Sequence, residues 1–203
     1  MTIERTPRIE FWYEFASSYS YLSVMRVEAL AAAAGVEVAW RPFLLGPVFM
    51  SLGWNDSPFN IYPPKGRYMW RDLERLCSRY GLILTRPSTF PRNGLLAARI
   101  ACRNHAEPWI GAFSRAVMCA NFAEDRDIGD RAVIAELLLG LGLPAEDLLA
   151  DAGSDAGKAA LRSQTERATE LGIFGAPSFI VDGELFWGND RLEDALAWAH
   201  DAA

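Results

Sequence analysis

The 203-residue chain has no C-x-x-C pair, and its three cysteines, Cys77, Cys102 and Cys119, stand far apart inside helical patterns. That excludes a dithiol exchange centre, which needs two neighbouring thiols, and it excludes the close-set Cys/His ligands of a zinc site. Each thiol is expected to be a buried, inert group. Histidine is almost as scarce. His105 and His200 are the only two, and neither lies beside a candidate nucleophile, so a Ser-His-Asp triad has no support. G-x-S-x-G and phosphate-cradling glycine motifs are missing. No run of about 18 uninterrupted apolar residues occurs, so no membrane span or membrane partner is expected. The polar start, Met1 to Arg8, lacks the basic, apolar and small-residue order of a secretory leader, and a cytoplasmic location is expected. A net charge of -6 without a dense basic patch argues against nucleic acid as a partner. Internal repeats and low-complexity tracts are also absent.

Apolar material is ample: 51% of the residues are hydrophobic and 12% aromatic, enough for the core of one domain or of one domain interrupted by a smaller one. Ile9 to Phe15 reads as a buried strand. Tyr21 to Ala34 reads as a well-buried helix stopped by Gly35, and Val36 to Phe43 as a strand with one covered face. Strand, loop, helix and strand make a crossover unit with two parallel strands. Leu44 to Pro64 is rich in Gly, Pro, Asn and Ser and is expected to be irregular. Helical patterns follow over Tyr68–Arg79, Leu95–Asn104, Pro108–Asn121 and Arg131–Leu141, with some strand character only near Leu82 to Thr85. Lys158 to Leu171 is helical. Ser178–Val181, the Asp182-Gly183 turn and Glu184–Trp187 form a hairpin, and Arg191–His200 a last helix. The pattern is α/β with an all-helical insertion. Its expected bounds are 8–45 and 156–203 for the α/β part and 65–145 for the insertion.

Four segments have chemistry in them, and each has an ordinary structural explanation. Ser17-Ser18-Tyr19-Ser20 lies between the first strand and the first helix, where an anion such as a thiolate is favoured, although serine there is also a common helix cap. Gly175-Ala176-Pro177-Ser178 is compatible with a cis peptide that would present the Ala176 backbone to an extended peptide ligand. A trans proline opening an edge strand fits equally. Trp187-Gly188-Asn189-Asp190 could receive a carboxylate on its amides and an ammonium at Asp190, or simply cap the last helix. Asn60-Ile61-Tyr62-Pro63-Pro64-Lys65 offers an amide and a cation that would ordinarily be solvated.

Taken in order, Phe15-Ala16-Ser17-Ser18-Tyr19-Ser20-Tyr21-Leu22, Phe174-Gly175-Ala176-Pro177-Ser178-Phe179 and Trp187-Gly188-Asn189-Asp190-Arg191-Leu192 resemble the 2-hydroxychromene-2-carboxylate isomerase family. That family is close to the kappa-class glutathione transferases, within the wider group of disulfide oxidoreductases. The resemblance spans nearly the whole chain and implies a thioredoxin-like fold carrying the helical insertion. It places Ser17 and Ser20 where the oxidoreductases have their two cysteines, so the reactive sulfur would come from glutathione. It further implies that Ser17 stabilises the glutathione thiolate. Ala176 and Pro177 would hold its cysteinyl backbone, Asn189 and Asp190 its γ-glutamyl end, and Asn60 and Lys65 would reach the peptide from their loop. The family commonly has proline after the active serine where this chain has Ser18, and the spacing to Leu22 favours Ser17 over Ser18 as the reactive position. The implied activity is a glutathione-dependent cis-trans isomerisation in aromatic-compound degradation, carried out by a homodimer on a small aromatic substrate. Phe49, Trp54 and Tyr68 would line an apolar slot for that substrate. A kappa-like transferase conjugating electrophiles, and a binding module without catalysis, are the alternatives.

Overall fold

The computed structural model describes residues 6–201. The chain opens with strand β1 (Arg8–Tyr13), helices α1 (Ser18–Val24) and α2 (Val27–Ala34), and strand β2 (Glu37–Pro42). Helices α3 (Leu45–Ser51), α4 (Pro58–Ile61), α5 (Pro63–Tyr80), α6 (Leu95–Arg103), α7 (Ile110–Phe122), α8 (Arg131–Gly140), α9 (Ala145–Gly153) and α10 (Asp155–Glu170) follow. Strands β3 (Ser178–Val181) and β4 (Glu184–Trp187), a 3-10 turn at Asn189–Arg191 and helix α11 (Leu192–Asp201) complete the fold.

The four strands form one sheet in the order β2-β1-β3-β4. β1 runs parallel to β2 with Phe11 opposite Trp40, and antiparallel to β3 with Phe11 opposite Phe179. A central strand covered on both faces must be apolar on both. Ile9, Phe11 and Tyr13 face the larger core, shared with α1, α2 and the helical block, whereas Trp12 faces a second cluster with Phe43, Val48, Ala168 and Ile180. Burying each such aromatic side chain stabilises the fold by about 1.5–3 kcal/mol. The helical block has no separate core among the described residues: Phe15 meets Phe113 edge-on and Tyr21 stacks on Phe122, so it is packed into the sheet's own core. The Tyr13 hydroxyl and the Ser114 hydroxyl, both buried, hydrogen-bond at 2.8 Å and fix α7 against β1. The architecture is the thioredoxin-like α/β fold with a helical insertion.

Several sequence expectations shift. The single helix expected over Tyr21–Ala34 starts earlier, at Ser18, and breaks in two at Met25-Arg26. There the Arg26 N–H bonds Ser23 C=O, a tightened turn. The break also sends the Arg26 side chain across the Tyr80 ring and to Asn189 and Glu193. The segment Leu44–Pro64 is largely helical, as α3 and α4, with Pro58 and Pro63 at first-turn positions where a missing N–H costs nothing. Leu82–Thr85 is not a strand. It has no regular secondary structure, and its Thr85 N–H pairs with Phe122 C=O at 2.7 Å and with no strand of the sheet. Helix α9 was not anticipated, and α10 begins at Asp155, three residues before Lys158, because Ser154 Oγ accepts the Gly157 N–H. The hairpin is as expected: Asp182 and Gly183 have φ of 45° and 91°, the left-handed pair that such a turn requires.

Candidate functional site

The site is built where β1 ends. Ser17 is the N-cap of α1, with extended backbone, and its Oγ accepts the Ser20 N–H at 3.2 Å. The same hydroxyl donates to the Ala176 carbonyl at 3.0 Å. Capping and contact across the site are therefore both made by one oxygen. Ser18 takes no part on this side: it is 2% exposed and its hydroxyl points inward to Met69 Sδ at 3.1 Å. Ser20 is fully buried and its Oγ accepts the Glu14 N–H.

Opposite Ser17, the Ala176–Pro177 peptide is cis, and Ser178 Oγ donates to Gly175 C=O at 2.9 Å, tightening the turn into β3. The Pro177 carbonyl accepts the Gly188 N–H at 2.9 Å, which draws the third segment to the second. Gly188 has φ of 114°, a backbone that side chains resist. In the following turn Asn189 faces inward, 3% exposed, with its Oδ1 accepting from Ser23 Oγ at 3.1 Å and Arg26 at 3.4 Å. Its side chain is therefore spent on holding the turn to α1. Asp190 is exposed and its carboxylate meets Arg191 at 3.3 Å.

Helix α5 closes a further side. Lys65, Tyr68 and Asp72 are spaced to share one of its faces. Asp72 accepts the Tyr19 hydroxyl at 3.0 Å, and Tyr19 packs on Phe59, over whose ring Lys65 Nζ stands 5.8 Å away. Burial, the bond to Asp72 and the nearby charges of Asp72 and Asp190 all push the Tyr19 hydroxyl's pKa up, so it is held as a neutral donor. Nothing local in the sequence marks Tyr19 and Asp72 as partners. The spacing of Lys65 to Asp72, two helical turns, was the available signal. Asn60 is exposed, and its amide donates to the Asp56 carboxylate and to Phe90 C=O at 3.3 Å. Of the apolar trio, Phe49 and Trp54 pack together at 5.6 Å, and Tyr68 is largely exposed.

The chain supplies no ionised thiol of its own. Cys77 and Cys102 are buried, and burial pushes both up to about 11. Burial likewise raises Cys119. The unusual titratable group is Glu14, three residues before Ser17. Burial raises its carboxyl to about 7, opposed only partly by the Leu45 N–H that it accepts at 3.0 Å. Among the described residues no helix is long and apolar enough to cross a membrane, and no group of three or more His, Cys, Asp or Glu could hold a metal ion.

Comparison with known proteins matches residues 8–197 to the model of the DSBA-like thioredoxin domain. A 2-hydroxychromene-2-carboxylate isomerase of Sphingobium xenophagum is 32% identical over 93% of this chain and 95% of its own length. The kappa 1 glutathione S-transferase of Caenorhabditis elegans is 25% identical, over 93% of this chain and 88% of that protein. Among solved structures, a 2-hydroxychromene-2-carboxylate isomerase superposes with a TM-score of 0.86 at 26% identity, covering 96% of this chain and 95% of the other.

Proposed function

The chain belongs to the DSBA-like thioredoxin family, alongside the 2-hydroxychromene-2-carboxylate isomerases, and on that footing we propose that it is a glutathione-dependent cis-trans isomerase acting on a substrate of that type. The observation that carries this reading is the Ser17 hydroxyl. It caps α1 and stands 3.0 Å from the Ala176 carbonyl, at a position where a dithiol enzyme would carry sulfur.

The residues fit the tripeptide. Ser17 holds one hydrogen-bond proton that it now gives to a neutral carbonyl, and a thiolate is the stronger acceptor, by roughly a factor of two in bond strength. On binding, Ser17 turns that proton to the sulfur. Ala176 C=O is released to take a peptide N–H, while the first-turn amides of α1 add partial positive charge beside the anion. Pro177 flanks the same edge. The backbone of Asn189 and Asp190 receives the γ-glutamyl carboxylate, and Asp190, with Asp72 beyond Tyr19, supplies negative charge for its ammonium group. Lys65 and Asn60 reach the peptide from α5 and α4, Asn60 after exchanging its present bonds to Asp56 and Phe90. When bound, glutathione would supply a nucleophilic thiolate that adds reversibly to a conjugated double bond and so allows rotation about it. The apolar side near Phe49, Trp54 and Tyr68 takes the aromatic body of the substrate. A homodimer in the cytoplasm goes with this reading.

Assay against a panel tests it. Turnover of hydroxychromene carboxylate that requires glutathione but consumes none is the expected result. Stoichiometric loss of glutathione to a halogenated aromatic, without isomerisation, would instead make the protein a kappa-like transferase. Absence of glutathione binding by calorimetry would remove both and leave a binding module.

A further inference from the structure

Where Ser17 Oγ stands is decided by the two residues before it, Phe15 and Ala16, which join β1 to α1. The strand cannot hold them, because the pairing of β1 with β2 ends at Tyr13 opposite Pro42. The Phe15 carbonyl is instead met from behind. Asn121, in the last turn of α7 and 1% exposed, donates its Nδ2 to Phe15 C=O at 3.0 Å. The other end of that amide is fixed as well, since Asn121 Oδ1 accepts from Arg92 Nη1 at 3.3 Å. Arg92 is 8% exposed. The same Nη1 is shared with Asn121 C=O at 3.3 Å and Arg126 C=O at 2.8 Å, and Nη2 with Ser88 Oγ at 3.1 Å, Asp125 C=O at 3.1 Å and the Asp125 carboxylate. The Ser88 N–H and Arg92 hold that carboxyl below its usual range, so the ion pair is charged.

A second contact bears on the same dipeptide. A Cβ at Gly94 would stand 3.0 Å from Phe15 Cβ and 3.6 Å from Ala16 N, so the backbone following Arg92 leans directly on the loop. A buried amide hydrogen-bonded at both its oxygen and its nitrogen has one geometry, whereas an apolar contact would let the carbonyl drift. The Asn121 amide donates out of the helical block, to the serine loop.

We infer that Asn121 is a positioning residue for the Ser17 loop, oriented by the buried guanidinium of Arg92, and that the helical block thereby sets where the Ser17 hydroxyl meets its ligand. The catalytic half of this inference rests on the function proposed above; the positional half does not. Two variants of the full chain test it against a control. Asn121→Asp keeps the oxygen facing Arg92 but puts an acceptor against Phe15 C=O. Gly94→Ala presses on the loop without touching a hydrogen bond. Ile134→Val removes a buried methyl from α8, from a side chain that makes no hydrogen bond of the network.

Amide hydrogen exchange by NMR, without ligand, reads the Ser17 N–H, which donates to Glu14 C=O, and the Ser20 N–H, which donates to Ser17 Oγ. Asn121→Asp should speed exchange at both by about tenfold over the control while Phe179 in β3 keeps its rate, and Gly94→Ala should act in the same direction more weakly. In turnover, kcat should fall about tenfold with KM for glutathione within about twofold. Ser17 and Ser20 amides that exchange no faster than in Ile134→Val overturn the inference, and so does faster exchange with unaltered kcat. If Asn121→Asp does not fold, Gly94→Ala is read by the same criteria. The exchange arm needs no glutathione, so a protein that fails to bind it defeats the proposed function while the exchange rates still decide this point.

Discussion

Two segments flank the site, and they are built in opposite ways. Residues 14–20 are gripped from several directions. Asn121 holds the Phe15 carbonyl, Met69 receives the Ser18 hydroxyl, Asp72 the Tyr19 hydroxyl and Ala176 the Ser17 hydroxyl. Residues 52–65 are held mostly by themselves. Asp56 accepts the Ser57 N–H and the Asn60 amide, Ser57 caps the short α4, and Leu52, Tyr62 and Lys65 face solvent. A group that must meet developing charge within about half an ångström needs the first kind of support. A wall that only has to accommodate a substrate can be made of the second kind, and can change without disturbing the chemistry.

The comparison breaks most sharply at Ser17. Ser17→Ala should lower kcat near neutral pH by about tenfold or more, because without that donor less of the bound glutathione is ionised. From the fold it should remove the helix cap and the bond to Ala176 C=O, together about 2 kcal/mol, for a shift of about 4–8 °C in Tm. Steady-state kinetics beside a thermal melt check both. A large Tm loss with equal loss of activity would mean that the hydroxyl is merely structural.

Glu14, at the start of the gripped segment, is expected to cost stability as it ionises. Its carboxyl titrates near the usual 4.5 when unfolded and at about 7 when folded, so the folded state binds the proton more tightly. Its contribution is fully present below 4.5 and is lost as pH rises through 7. Glu14→Gln should abolish that slope, and above pH 7 should gain up to about 2 kcal/mol on the wild type relative to their difference at pH 4. Urea unfolding at the two pH values measures it.

Smaller effects belong to the edges. Asp190→Asn should raise KM for glutathione about tenfold, near 1.4 kcal/mol, with kcat little changed. Lys65→Ala, in the self-held segment, should cost no more than about threefold in the same constant, because exposed charges contribute little. A Lys65 effect larger than that of Asp190 would reverse the contrast drawn between the two segments.

Much of this was legible in the sequence for a simple reason: strands and long helices announce themselves by periodicity, and β1, β2, the β3–β4 hairpin and α5 to α8 were all visible that way. The serine loop and the Ala176-Pro177 turn were visible because short motifs at element ends carry their own chemistry. What was missed depends on contacts distant in sequence. The break at Met25-Arg26 cannot be seen locally, because Arg26 is drawn to Tyr80, Asn189 and Glu193. Asn121 looks like any polar residue near a helix end until Phe15, 106 residues away, is brought against it. The Gly- and Pro-rich composition of Leu44–Pro64 hid two helices, since proline at a first turn starts a helix as readily as it ends one.

The most direct trial follows the ultraviolet absorbance of thiolate during pH titration of glutathione bound to the wild-type protein and to Ser17→Ala. Expected is a bound thiol that ionises about one pH unit or more below the free tripeptide in the wild type, with most of that displacement gone in the variant. A bound thiol that titrates alike in both proteins would contradict the claim that the hydroxyl at the start of α1 stabilises the thiolate that glutathione brings.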